Sequence, residues 1–305
     1  MAANKTTDLT QEMSVYYEKV FLARAEYEFI HKEGAQMRTQ PQNGGKQVNF
    51  TRHTPLATVT TALTEGTNPS EVNLTATTVS AALAEYGTTV KISRFLTRTG
   101  IDANNKEKIE VVGQNMGETI DELTRNELFT GATAQLAGAK AALTDISASN
   151  TLSAAEIRKA VRTLKTNKAR KYQGRGSWIC KTGPFPAYDL MGDTTWVNAT
   201  TYDNNAEGIY KGEIGLLYGT RFLESANQKT EASTTTVYSN FIHGSDAFGV
   251  MDLEGDKPQL FIVPNTNIDS GNPAGRFSTV AWAASFVAKT LNSSWLINVK
   301  TGATA

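Results

Sequence analysis

The feature that most constrains this sequence is a stretch of about forty residues that separates two strand-like segments. Alternating apolar residues predict strands at residues 47–50 and 89–92. The intervening residues are rich in Thr, Val, Ala and Leu, carry almost no charge, and include Pro55, Gly66 and Pro69. Such a connection is too long for a hairpin loop in a compact domain. We therefore predict a two-stranded arm that protrudes from the body.

Helical spacing of apolar residues predicts one helix over residues 9–30 and a second over residues 102–129. Acidic residues crowd the first turns of the second helix, where the helix dipole favours them. Gly113 and Gly117 lie inside it and cost about 1 kcal/mol each against Ala, which is tolerable if another backbone packs closely there. The predicted buried stripe of this helix comprises Ile109, Val112, Met116, Ile120 and Leu123.

A third helix is predicted to begin at Ser153, because Ser153 and Glu156 have the spacing of a capping box. A short helix is expected at residues 184–191, and a glycine-punctuated turn and strand at residues 209–224. The remaining strands are predicted at residues 177–181, 237–241, 247–253, 259–263, 279–288 and 294–299. These elements indicate an α+β fold without internal repeats.

Composition excludes several classes of protein. A chain of 305 residues with 40% hydrophobic residues can bury a substantial core. No uninterrupted apolar run approaches the roughly eighteen residues that span a bilayer, so we expect no membrane segment. The polar N-terminus lacks the layout of a signal peptide. The single cysteine, Cys180, excludes an internal disulfide and lies in an apolar run typical of a buried, inert thiol.

Candidate catalytic and cofactor motifs are weak, so we predict no enzyme activity, no cofactor and no metal site. His31, His53 and His243 are far apart in the sequence and lack ligand partners at metal-binding spacing. His243 with Asp246 is the least implausible acid–base pair, but Ser245 between them lies in no nucleophile elbow. Three carboxylates of the second helix form a candidate site for a hard cation, although an acidic helix surface explains them as well. They are Glu118, Asp121 and Glu122.

Charge is distributed unevenly in a chain whose thirty basic and thirty acidic residues cancel. Residues 158–181 contain nine basic residues and no acidic one, whereas residues 102–127 contain seven acidic and three basic residues. Such segments can pair within a subunit or between neighbours, can meet DNA, or can simply be solvated. The basic residues that we expect to face DNA or a neighbouring chain are Arg158, Arg162, Lys165, Lys168 and Lys171.

Several short strings, in order across nearly the whole chain, resemble the N4-like major capsid proteins of tailed bacteriophages, which have a Hong Kong 97-like capsid fold. Each string alone is weak, but their order and spacing together are specific. The strings lie at residues 9–13, 17–24, 43–46, 49–52, 55–56, 63–66, 86–87, 210–215 and 219–222, and around Trp282 and Trp295.

The resemblance implies an N-terminal arm, an extended β-loop, a peripheral domain with a long spine helix, and an axial domain around the symmetry axis of a hexamer or pentamer. It implies the following divisions: residues 1–46 for the N-terminal arm, 47–95 for the extended loop, 96–171 for the peripheral domain, 172–273 for the axial domain and 274–305 for strands that return to the peripheral domain.

The function implied is self-assembly into the icosahedral shell that encloses phage double-stranded DNA, with the host cytoplasm as the location before assembly. Partners would be further copies of the chain, scaffolding, decoration and portal proteins, and packaged DNA through weak non-specific contacts, but no membrane. The extended loop would contact a neighbouring subunit through Leu63, Glu65, Val72 and Leu74. Two alternatives are another structural phage protein, such as a decoration or fibre protein, and a cytosolic hydrolase built around His243 and Asp246.

Overall fold

The structure is a computed structural model that describes residues 21, 30–54, 56–99, 105–172, 176–197, 213–254, 259–268 and 271–304. The helices are α1 (Arg94–Thr99), α2 (Asn105–Gly131), α3 (Ala154–Thr166) and α4 (Pro184–Met191). The strands are β1 (Gln36–Gln40), β2 (Gln47–His53), β3 (Ala76–Ala82), β4 (Ala84–Ser93), β5 (Thr133–Leu136), β6 (Trp178–Thr182), β7 (Glu213–Leu217), β8 (Thr220–Glu224), β9 (Thr230–Ala232), β10 (Thr236–His243), β11 (Phe248–Leu253), β12 (Gln259–Val263), β13 (Phe277–Thr290) and β14 (Leu296–Thr301). The predicted α+β class is confirmed.

A five-stranded sheet is organised around β13, the 14-residue strand near the C-terminus. β13 pairs antiparallel with β4, β11 and β12, and β1 adds to β11 in parallel. Buried and partly exposed residues alternate along β13, as expected for a strand with one face on a core. Its buried face consists of Val280, Trp282, Ala284 and Phe286. β1 was not predicted from the sequence.

Helix α2 packs across this sheet and supplies the other half of its core. Ile109, Val112, Met116 and Ile120 of the predicted stripe are buried, and Leu123 packs partly buried against them. The Trp282 indole Nε1–H donates a hydrogen bond of 3.0 Å to the Asn115 side-chain oxygen. The helix ends at Gly131, as the Thr-Gly pair predicts. The first residues of the predicted helix, 102–104, lie outside the described residues.

Gly113 of α2 allows the close approach that the sequence predicts at this position. A Cβ atom there would lie 2.7 Å from the backbone carbonyl oxygen of Phe21. The Phe21 side chain is fully buried in the same core. Phe21 belongs to the predicted first helix, residues 9–30, most of which lies outside the described residues. A side chain larger than hydrogen at position 113 would push this segment away from α2.

The second core lies between a seven-stranded sheet, in the order β5-β14-β10-β6-β8-β7 with β9 on β10, and helices α3 and α4. Helix α3 begins after Ser153, as predicted, but the predicted capping box is wrong because Ser153 makes no side-chain cap. The Glu156 carboxylate turns inward and accepts hydrogen bonds from Gln135, Gly138 and Lys159. The buried stripe of α3 comprises Ile157, Ala160, Val161 and Leu164.

Strands β2 and β3 form the two-stranded arm, paired from Gln47 with Ala82 to His53 with Ala76. The predicted arm is therefore present, but the strand around residues 89–92 is not its second strand. That strand is β4, which belongs to the five-stranded sheet because all ten of its residues pair with β13. At the base of the arm, Val48 and Phe50 pack with Ala81, Leu83 and Met251 in a small third core.

Candidate assembly surfaces

The tip of the arm connects β2 to β3, and every described residue from 54 to 75 is exposed. Three of the four residues predicted to contact a neighbour are large and apolar, with exposed fractions of 67% for Leu63, 65% for Val72 and 62% for Leu74. Leu56 and Val59 are also exposed. Five exposed large apolar side chains on one segment are typical of an interaction surface. The contact of these residues with a neighbouring subunit stays a prediction.

Glu65, the fourth predicted contact residue, lies at the end of the arm in a tight turn. The Thr67 backbone N–H donates a hydrogen bond of 3.1 Å to the Thr64 carbonyl oxygen. Gly66 has a φ of 82°, which the third position of a type II turn requires. The turn therefore presents the Glu65 carboxylate at its apex, in solvent. We call residues 54–75 the arm tip.

Four of the five predicted basic contact residues line one groove of about 680 Å³ on the outer side of α3. Tyr218 and Gly219 from the turn between β7 and β8 form the opposite wall. All four side chains are exposed, and in the described part of the chain none of them forms an ion pair. We call this surface the basic groove. Its cationic residues are Arg158, Arg162, Lys165 and Lys171.

Lys168, the fifth predicted residue, lies elsewhere. It follows the end of α3 with a φ of 52°, and this left-handed conformation turns the chain away from the groove. Lys168 instead lines a second cavity of about 720 Å³ at the base of the arm, together with Arg52, His53, Arg170 and Asp246. The structure therefore brings four of the five predicted basic residues together and separates the fifth.

A buried polar cluster, which was not predicted from the sequence, joins residue 31 to α2 and β6. The His31 backbone N–H and ring Nδ1–H each donate a hydrogen bond of 2.7 Å to the Asp121 carboxylate. Asn227 Nδ2 donates to the same carboxylate, at 3.1 Å. Lys181 Nζ donates to the His31 carbonyl oxygen, at 2.7 Å. Asp121 and Lys181 are each only 1% exposed, so the cluster fixes residue 31 in the interior.

Burial sets the electrostatics of this cluster. Desolvation lowers the pKa of Lys181 to about 7, and the nearby Asp121 carboxylate opposes that shift. Desolvation also lowers the pKa of His31, although the hydrogen bond that its ring donates to Asp121 opposes this shift. The Lys181 amine lies 4.5 Å from the centre of the Phe248 ring. Lys181 is one of the nine basic residues counted in residues 158–181, but it differs from the five that were expected to face a partner because the strand carrying it is buried along its whole length.

The acid–base pair considered for a hydrolase is not formed. His243 is fully buried, and its Nδ1 atom lies 2.9 Å from the Tyr172 hydroxyl group. Its Nε2 atom has no hydrogen-bond partner among the residues that the structure describes. Burial lowers the pKa of His243 well below its usual value, and Lys181 lowers it further. Asp246 instead lines the cavity at the base of the arm. The His243 and Asp246 side chains therefore lie in different surroundings.

The carboxylates considered for a hard cation have other partners. Asp121 binds His31, Glu122 forms an ion pair of 2.6 Å with Arg125, and Glu118 accepts a hydrogen bond from Gln114. Within the described ranges, no group of three or more metal-binding side chains is present. Cys180 is fully buried, and burial raises the pKa of its thiol. No described helix is long and apolar enough to cross a membrane.

The sequence contains one indication of the buried cluster: the apolar periodicity of α2 places polar residues on its buried side. Asp121 directly follows Ile120 of the apolar stripe, and Thr124 and Arg125, on the next turn of the same side, are also buried. A carboxylate on the buried side of a helix needs a donor from another element. Nothing in the sequence identifies that donor, because His31 and Lys181 are 90 and 60 residues away from Asp121 along the chain.

Comparison with solved structures identifies the fold. The chain matches the capsid of Ralstonia phage GP4 with a TM-score of 0.69 and 16% sequence identity, over 92% of this chain and 91% of that chain. The chain has a phage capsid fold. The capsid of cyanophage P-SCSP1u matches with a TM-score of 0.65 and 14% identity, over 91% of this chain and 89% of that one.

A third match is the cyanophage Pam1 capsid, with a TM-score of 0.62 and 18% identity, over 88% of this chain and 91% of that chain. The predicted Hong Kong 97-like capsid fold and the resemblance to major capsid proteins of tailed phages are thereby confirmed at the level of the fold. No family model and no curated protein sequence matches the chain.

Proposed function

We propose that this chain is a major capsid protein that self-assembles into pentamers and hexamers of an icosahedral head shell around phage double-stranded DNA. The observation that carries the proposal is the fold, which covers about 90% of the chain and about 90% of each of three phage capsid proteins. Coverage of this extent leaves no large part of the chain for an added catalytic domain. The role is structural and not enzymatic.

The exposed arm supports assembly as the function. An isolated subunit leaves Leu63, Val72 and Leu74 in water, and burying such side chains against a neighbour stabilises the contact by about 25 cal/mol per Å² of apolar surface. Leu63, Glu65, Val72 and Leu74 are the proposed inter-subunit contacts. Many such contacts, repeated by ring symmetry, close pentamers and hexamers.

The proposed division of the chain follows the resemblance to capsid proteins. Residues 1–46 are the N-terminal arm, 47–95 the extended loop, 96–171 the peripheral domain, 172–273 the axial domain and 274–305 the returning strands. The grouping of α2 with β4 and β13 in one core supports a peripheral domain built around α2 as its spine helix. Scaffolding, decoration and portal proteins are proposed partners, and the host cytoplasm is the proposed location before assembly.

The basic groove is proposed to meet either packaged DNA or an acidic surface of a neighbouring subunit. Its four exposed cations form no ion pair with the residues that the structure describes and suit either partner, and both interactions would weaken with salt.

Negative-stain microscopy of the purified chain tests the proposed function. Shells or closed rings are the expected result. Fibres would instead favour a fibre protein, and uniform monomers over a wide range of concentration and salt would contradict a shell-forming role. A second sample, taken from infected cells or from co-expression with the neighbouring phage genes, controls for a requirement for scaffolding.

A further inference from the structure

The arm tip has exposed apolar side chains and exposed carboxylates, and a partner surface that covers it must accommodate both. It exposes large apolar side chains, and its only charged residues are the acidic Glu65 and Glu71, both exposed. No Lys or Arg occurs between Arg52 and Lys91. Neither carboxylate forms an ion pair within the described residues. A surface that covers the arm tip therefore needs cations beside apolar area.

The basic groove has both properties. Its described lining contains Arg158, Arg162, Lys165 and Lys171 and no acidic residue. Its apolar part comprises the Tyr218 ring, which is 40% exposed, and the edge of Val161. The alkyl stems of Arg and Lys side chains add apolar contact area while their charged ends remain near water.

From this complementarity we propose that the arm tip of one subunit docks in the basic groove of a neighbouring subunit. Glu65 and Glu71 pair with the groove cations while Leu63, Val72 or Leu74 covers Tyr218. The proposal rests on the proposed function, because it names the surface that receives the arm in the assembled shell.

Two observations favour this occupant over DNA and over the cavity at the base of the arm. Phosphate groups would satisfy the cations but would leave the apolar tip uncovered. The cavity at the base of the arm also contains cations, but its lining includes the Asp246 carboxylate together with Arg52 and His53 of the arm itself, whereas the described lining of the basic groove is free of acidic residues. The groove and the tip are complementary in both charge and polarity.

Reversing the charges on each surface separately, and then on both surfaces together, tests whether the arm tip pairs with the basic groove. We expect Glu65→Lys with Glu71→Lys, and separately Arg162→Glu with Lys165→Glu, each to lower shell yield about tenfold at low salt, because each reversal turns paired charges into repelling ones. Combining all four substitutions should restore most of the yield. A matched control combines Glu85→Lys with Lys140→Glu, two exposed residues outside both surfaces, and should change little in either form. Circular dichroism checks that every variant is folded.

Failure of the combined variant to recover, with shells still forming from the unmodified chain, overturns the pairing but leaves the proposed function intact. Normal shells with a reduced DNA content from Arg162→Glu with Lys165→Glu also overturn it, and assign the groove to DNA. The absence of shells from the unmodified chain instead contradicts the proposed function.

A cross-linking measurement does not depend on yield. Subunits with Glu65→Cys, mixed with subunits with Lys165→Cys and assembled under mild oxidation, should give a disulfide-linked dimer. The native Cys180 is fully buried and provides no competing thiol. Either variant alone should stay monomeric on a non-reducing gel. No dimer from assembled mixed shells would overturn the proposed contact.

Discussion

The arm tip and helix α2 both carry large apolar side chains, but those of α2 are buried within the subunit and those of the arm tip are exposed to solvent. Met116 of α2 is fully buried against β13, whereas Val59 of the arm tip is 80% exposed. Burial of the apolar side chains of α2 within the subunit contributes to the free energy of folding. The arm tip contributes nothing of that kind until a second surface covers it. Apolar residues in this chain therefore divide into those that stabilise the subunit and those that are available to stabilise an assembly.

Removing the arm tip should separate these two roles most strongly. We expect a chain in which residues 54–75 are replaced by Asn-Gly to remain folded and soluble but to form no normal shells, because the pairing of β2 and β3 up to His53 and Ala76 is kept while the exposed apolar surface is lost. Thermal unfolding and electron microscopy measure the two effects. Normal shells from this chain would refute the assembly role of the tip. A full-length control in which Val59, Leu63, Val72 and Leu74 are all changed to Thr tests whether polarity or length matters.

Matched alanine substitutions give the next largest contrast. Met116→Ala should lower the free energy of unfolding by about 2–5 kcal/mol, because it leaves a cavity in a packed core. Leu63→Ala should change it by less than about 0.5 kcal/mol, since that side chain is exposed, yet it should lower shell yield. Denaturant titration of both variants is the measurement. A large loss of stability in Leu63→Ala would mean that the tip packs within its own subunit.

The dependence of stability on pH should come from the buried polar cluster and not from the arm. The folded-state pKa of Lys181 is about 7, below its unfolded value, so the contribution of this group to stability is fully present above about pH 10 and is lost as the pH drops from about 10 to 7. The lowered pKa values of His31 and His243 cause a further fall below about pH 6.5. Denaturant titrations at several pH values measure this profile.

Lys181→Met provides the control for that profile. It removes the buried amine, so the rise in stability between pH 7 and 10 should become much smaller, while the fall below pH 6.5 should remain. An unchanged slope between pH 7 and 10 would show that Lys181 is not the titrating group. Glu65→Gln in the exposed arm tip should leave the whole profile unchanged.

The last and smallest contrast concerns covalent links between subunits: we expect none to form through the arm. An isopeptide bond needs a lysine amine, and none occurs between Lys46 and Lys91. Mature particles boiled in detergent should therefore give a single band near 33.0 kDa. A ladder of oligomers that persists in reducing agent would show that a lysine outside this stretch forms covalent links.

Local patterns in the sequence predicted most of the elements but few of their partners. The bounds of α4 and β12 agree with the prediction, because apolar periodicity and turn residues are local properties. β1 was missed since its five residues, Gln-Met-Arg-Thr-Gln, show no apolar alternation, and it forms only because the edge of β11 is available. The partner of β2 was likewise not predicted. Strand β4 pairs with β13, so β2 pairs with β3.

The same limits apply to the candidate surfaces. Helical spacing places Arg158, Arg162 and Lys165 on one side of α3, and whether they meet a partner stays a prediction. The separate position of Lys168, which has a left-handed backbone, and the burial of Lys181 in a strand are not visible in a count of charges. Tyr218 joins the groove from a turn about fifty residues further along the chain, so no local pattern could include it.

The strand order of the five-stranded sheet also determines when a newly made chain can mature. β1 pairs with β11 and β4 pairs with β13, so segments from the first third of the chain wait for partners from the last fifth. At a synthesis rate of about 5–20 residues per second, β1 leaves the ribosome roughly 10–40 s before β11. The base of the arm also waits, because Phe50 packs with Met251. A ribosome-bound chain is thus kept from joining a growing shell until nearly all of it has been translated.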